Sequence, residues 1–181
     1  EERGRVAEAL ARLRPDLEAV CRLHVDDRDA HTPGWKFNEW ELRGVPLRLE
    51  IGPRDVAQGQ VVLVRRDDRK KEAVPFGALR ERVPALLDEL QRAFYARALA
   101  FREANTHAVT TYDQFKEVLE ARRGFVVAGW DGEPETEAKI KEETKATIRV
   151  IPLEGGEPTG GLKCVYSGRP ARHRAWFARA Y

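Results

Sequence analysis

Apolar residues return at helical spacing near the start of the chain, at Val6, Leu10 and Leu13, and predict a helix over residues 3–14 that Pro15 stops. The stretch 17–25 divides between a turn of helix and a short strand at 23–25. Residues 35–43 read as a short helix ended by Gly44. The period then changes. Val45, Leu47, Leu49 and Ile51 alternate with Pro46, Arg48 and Glu50, the pattern of a half-buried strand with Arg48 and Glu50 on its polar side. Strands over 61–65 and 72–75 flank a charged turn at 66–71, so the three strands form a meander. A long helix follows over 78–105, with Leu79, Val83, Leu86, Leu87, Leu90, Phe94 and Leu99 as its apolar stripe. Pro84 marks a kink in it or its true start. A further helix over 111–123, capped by Thr110 or Thr111, turns Phe115, Val118 and Leu119 inward.

Composition shifts at Gly124. A short apolar strand over 125–130 precedes a strongly charged helix over 133–143, a strand over 147–152, a Gly/Pro/Glu loop over 154–161 and two short closing strands. The pattern is that of an α/β domain over 1–123, flanked by helices, then a small α+β domain over 124–181.

The chain has 181 residues, 42% hydrophobic and 34% charged, enough to bury a core beneath a very polar surface. Lys and Arg number 32 against 30 Asp and Glu, a net charge of +2, so any basic footprint for a nucleic acid is local. Two cysteines, Cys21 and Cys164, make no disulfide framework and suggest a reducing, cytoplasmic setting. No apolar run approaches a membrane span. Met is absent, and the chain opens inside an amphipathic pattern, which suggests a piece of something longer.

Catalytic signatures are missing: no Gly-rich phosphate loop, no nucleophile elbow, no HExxH. His24, His31, His107 and His173 are scattered, and Asp26, Asp27, Arg28 and Asp29 read as a solvated loop. The distinctive stretch is PGWKFNEWELRGVPLRLEIGPRD, from Pro33 to Asp55. Aromatic rings and guanidinium planes interleaved with carboxylates suit unstacked RNA bases, the planes for stacking and the carboxylates for base edges. Meander geometry brings Arg48, Arg54, Arg66 and Lys71 toward one rim near Phe37 and Glu41, where a phosphate backbone and splayed bases would be held. Trp35 and Trp40 are assigned to the core.

That run, with VVLVRRD, QRAFYARALAFREANT, YDQFKEVLEARRGFVVAGW, AKIKEETKATIRVIP, GRPA and the terminal FARAY, resembles the prolyl-tRNA synthetases of the archaeal and eukaryote-like type, in their C-terminal portion. The resemblance covers nearly all of the chain from Arg28 onward. It implies a mixed-sheet anticodon-binding domain, whose sheet expects one more strand before residue 1, and a small C-terminal domain. It implies direct reading of the two guanines of proline anticodons by Phe37, Glu41, Arg48, Arg54 and Asp55, with Lys71 as a further matching position. The whole enzyme would attach proline to tRNA-Pro using ATP and Mg on a class II catalytic domain absent from these residues, most simply as a homodimer. Tyr181 would turn its C-terminal carboxylate toward that active site. A free-standing RNA-binding module derived from a synthetase is the alternative. Many relatives hold zinc with two cysteine pairs. The matching positions here are Asp131, Thr136, Cys164 and Ser167, with one thiol among them, and even with His173 they fall short of a structural site, so zinc is expected to be absent. Packing of Trp130, Val150, Ile151, Val165 and Phe177 is expected to hold that domain instead.

Overall fold

The computed structural model describes residues 1–122, 124–158 and 160–180. They form two compact units, Glu1–Ala96 and Arg97–Tyr181, both of α/β type.

The first unit opens with α1 (Glu2–Glu18), which Pro15 does not stop. Pro15 lies on the exposed side, so the carbonyl its missing N–H leaves unpaired faces water. Burial of Leu17 in the core then rewards the added turn. Residues 23–25 form no strand, although Leu23 packs against the core. Helix α2 (Pro33–Leu42) begins at Thr32, whose hydroxyl accepts from the Trp35 N–H at 3.4 Å. It ends at Gly44, whose φ of +89° suits only a residue without Cβ.

Strands β1 (Leu47–Glu50), β2 (Gln60–Arg65) and β3 (Lys71–Pro75) form an antiparallel meander. The helix between β1 and β2, α3 (Pro53–Gln58), went unread in the sequence. Leu47, Leu49, Val61, Leu63 and Val74 face a core shared with Leu17, Leu79, Val83 and Leu86. The opposite face carries two rows by register: Arg48, Val64 and Lys71 in one, Glu50, Val62 and Ala73 in the next. Helix α4 (Leu79–Ala104) runs straight through Pro84, and the division between units falls within it.

In the second unit, β4 (Thr106–Ala108), α5 (Tyr112–Ala121), β5 (Phe125–Trp130), α6 (Pro134–Thr144), β6 (Ala146–Val150) and β7 (His173–Arg179) follow in order. The sheet order is β4-β5-β7-β6, with β4 parallel to β5 and the other pairs antiparallel, so this sheet is the mixed one. Phe115 of α5 meets Phe177 of β7 edge to face, ring centroids 5.2 Å apart, and both are fully buried. That packing puts β4 and α5 in the same compact unit as β5, so the units divide well upstream of the composition shift at Gly124. Gly124 is instead a point of close approach: a Cβ there would stand 2.1 Å from the Asn105 carbonyl oxygen. Val165 and Phe177 join the core and Trp130 and Ile151 pack against it, but Val150 is 47% exposed at the irregular end of β6. Among the described residues the closing segment holds one strand, β7, and an isolated bridge between Lys163 and Pro170 rather than two strands. Tyr181 lies outside the described residues.

Candidate RNA interface

The alternation of β1 sends Arg48 onto the face that α2 covers at one end. There its guanidinium carbon stands 3.9 Å from the centroid of the Phe37 ring, a close cation–π stack. Arg48 Nη1 donates to Glu41 at 2.9 Å and Nε donates to Glu50 at 2.9 Å. Phe37 and Glu41 are four residues apart on α2 and share a face, so one helix supplies both the ring beneath the guanidinium and a carboxylate at its edge. Lys71 completes the chain of charges with its ammonium 3.4 Å from the second Glu50 oxygen. A held guanidinium presents its outer plane at little entropic cost.

Phe37, Trp40, Glu41, Val45, Pro46, Arg48, Val64 and Arg66 line one cleft with a volume of about 10 Å³, room for a water and no more. A planar base does not fit inside this cleft. Arg66 lies at the mouth, its guanidinium 5.5 Å from the Phe94 ring centroid. The structure thus gathers Phe37, Glu41, Arg48 and Arg66 at one cleft and ties Lys71 to it through Glu50. Arg54 and Asp55 stand apart on α3. Arg54 is exposed and makes no recorded bond among the described residues, while Asp55 accepts from the Gly52 N–H at 2.8 Å and caps its own helix.

Sequence reasoning missed the ordering of the acidic loop. Asp26 accepts from Arg28 (2.9 and 2.7 Å) and from the Trp40 indole N–H at 2.8 Å, and Arg28 continues to Glu39 at 3.0 Å. The Arg28 hydrogen bonds, against the opposing effect of desolvation and with help from Trp40, hold the Asp26 carboxyl well below the usual carboxylate range. The loop thereby fixes α2 from behind. The lone hint in the sequence was the spacing of an Asp and an Arg before two tryptophans. Trp35, assigned to the core, is 45% exposed and stacks on His31 with centroids 3.7 Å apart.

Residues 2–86 match the anticodon binding domain family, and residues 112–181 match the family described as prolyl-tRNA synthetase, C-terminal. The chain belongs with the C-terminal part of the prolyl-tRNA synthetases. It is 54% identical to a proline–tRNA ligase of Rubrobacter xylanophilus over 96% of this chain and 36% of the relative. It is 52% identical to one of Chloroflexus aggregans over 100% of this chain and 38% of the relative. A third, from Roseiflexus castenholzii, is 49% identical over 99% and 37%. The chain thus spans a little over a third of the length of these curated relatives.

Of the four positions that the resemblance singled out for zinc, Thr136 and Ser167 meet at the carboxylate of a third, Asp131. Asp131 is 4% exposed. It accepts from Ser167 Oγ at 2.7 Å, Thr136 Oγ at 3.1 Å and the Glu133 N–H at 3.2 Å, and Arg169 stands 2.8 Å away. Desolvation pushes the Asp131 carboxyl up, but Ser167, the Glu133 N–H, Thr136 and the Arg169 charge outweigh it and hold it below its ordinary value. This donor set does not fit zinc: two hydroxyls already point at the carboxylate and a guanidinium occupies its flank. Cys164, the remaining thiol, is a buried core residue. Among the described residues no cluster of three or more His, Cys, Asp or Glu side chains suits a metal, and no helix is long and apolar enough to cross a membrane.

Proposed function

We propose that this chain recognises the anticodon loop of proline tRNA as the RNA-reading part of a proline–tRNA ligase. The observation that carries the reading is the Phe37–Arg48 stack held between Glu41 and Glu50 on an otherwise open sheet face. An unstacked base lies on the outer plane of Arg48, backed by Phe37. Glu41 accepts from the N1–H and N2 amino donors on a guanine's Watson–Crick edge, and Arg66 and Lys71 hold phosphate at the rim. Arg54 and Asp55 serve the second guanine from α3, Arg54 with an uncommitted guanidinium and Asp55 with its uncapped oxygen. In the whole enzyme, ATP and Mg would serve proline activation on a class II catalytic domain in a cytoplasmic homodimer. The Tyr181 carboxylate would reach toward that domain, and the second unit keeps its shape through Asp131 rather than zinc.

The test is binding of the chain to a proline anticodon stem-loop, with each anticodon guanine replaced in turn, at two salt concentrations. Guanine-dependent binding that weakens by about 1–3 kcal/mol in Glu41→Ala and Arg48→Ala is expected. Equal binding to every loop, with no effect of either substitution, refutes the reading.

A further inference from the structure

Glu50 is a carboxylate of this face whose contacts leave part of its hydrogen-bonding capacity unused. It stands at the end of β1, two residues before Gly52, whose N–H Asp55 already takes, so Glu50 caps nothing. Its side chain is 22% exposed. An ionised carboxylate offers about four acceptor positions. Arg48 Nε takes one at 2.9 Å and Lys71 a second at 3.4 Å. Both partners are cations that fix the direction of the group, and two acceptor positions remain.

The register places Val62 and then Ala73 beside Glu50 in one row across the sheet. Val62 is half-buried and Ala73 exposed. Their short side chains form an apolar shelf in the row next to the Arg48–Phe37 stack. Along the chain Glu50 falls between Arg48 on β1 and Arg54 and Asp55 on α3. Two adjacent carboxylate oxygens match two adjacent N–H donors, and among the RNA bases guanine alone offers a ring N–H beside an amino group on its Watson–Crick edge.

We propose that Glu50 is a second specificity-determining carboxylate, which accepts from the Watson–Crick edge of the second anticodon guanine, the base that Arg54 and Asp55 flank from α3, lying on the Val62–Ala73 shelf. The assignment rests on the RNA-recognition reading above. Arg48 then works twice, as stacking plane and as the shared donor that aims Glu41 at one base and Glu50 at the next.

The experiment compares the wild-type chain, Glu50→Gln and Glu41→Gln on a stem-loop carrying both anticodon guanines and on loops with inosine at one position or the other. Inosine lacks only the N2 amino group. Glu50→Gln keeps an oxygen for Arg48 Nε, and circular dichroism melts confirm that each variant is folded. Wild type is expected to favour guanosine over inosine by on the order of tenfold at each position. Glu50→Gln loses that preference at one position and keeps it at the other, and Glu41→Gln does the reverse. If Glu50→Gln weakens all loops equally, or keeps both preferences, Glu50 only positions Arg48 and the proposal is overturned while the anticodon reading stands. If wild type ignores inosine at both positions, the anticodon reading itself fails and the Glu50 assignment falls with it.

Discussion

Replacing Asp131 by alanine removes the acceptor at the centre of the second unit's polar network. The cost follows from who is stranded. Thr136 is 4% exposed, so its hydroxyl loses its acceptor with no route to water, a penalty of about 1–3 kcal/mol. Ser167 and Arg169 are exposed and turn to solvent, so their bonds contribute little more than 0–1 kcal/mol together. The sum is about 1–4 kcal/mol, and Asp131→Asn, which keeps one acceptor oxygen, costs roughly half as much. At about 2–4 °C per kcal/mol for a chain of this size, Asp131→Ala lowers the thermal midpoint by roughly 2–16 °C. Calorimetry of wild type and both variants, with and without a strong chelator, checks this. Because the Asp131 carboxyl is held below its ordinary value when folded, its contribution is present above the usual carboxylate range and fades as pH falls through the folded value. The gap between wild type and Asp131→Ala therefore narrows in acid. A variant melting within about 1 °C of wild type, or a wild-type midpoint that drops with chelator, refutes the reasoning.

Gly129→Ala places a Cβ 2.2 Å from the Lys163 carbonyl oxygen, where the loop donates the Val165 N–H to the Gly129 carbonyl; a loss of about 1–3 kcal/mol in urea denaturation is expected. Tyr112 and Tyr166 both donate to Glu143 at 2.9 Å. Burial, then the Glu143 hydrogen bond, raises the Tyr112 phenol above its usual value. The folded state thus holds that proton more tightly than the unfolded one, so this stability is complete below about pH 10 and is lost as pH rises further. The double variant Tyr112→Phe, Tyr166→Phe should show a flatter urea midpoint between roughly pH 8 and pH 11 than wild type.

Much of the fold was legible because periodicity is local. The alternation through Leu47, Leu49 and Ile51 and the stripe from Leu79 to Leu90 are set by which side chains must leave water, and each found its strand or helix. The misses came where tertiary contacts outweigh local propensity. Pro15 ends a helix only if nothing rewards another turn, and Leu17 does. Strand β4 is three residues long and owes its existence to pairing with β5. Helix α3 went unread because the Pro at its start and its Asp55 cap are also turn residues.

The sequence alone determined the residue types of the site and their order: an aromatic and a carboxylate one helical turn apart, then an arginine on an alternating strand. Tertiary structure alone decided that Arg48 lies on Phe37 between two carboxylates, that Glu50 belongs with them, and that Asp55 spends one oxygen on its own helix. It also decided that Asp131, Thr136 and Ser167, dispersed over more than thirty residues, meet at one carboxylate. Periodicity reports only which side of an element faces water. Which partners meet across elements depends on register and packing, and these are fixed only when the whole unit closes.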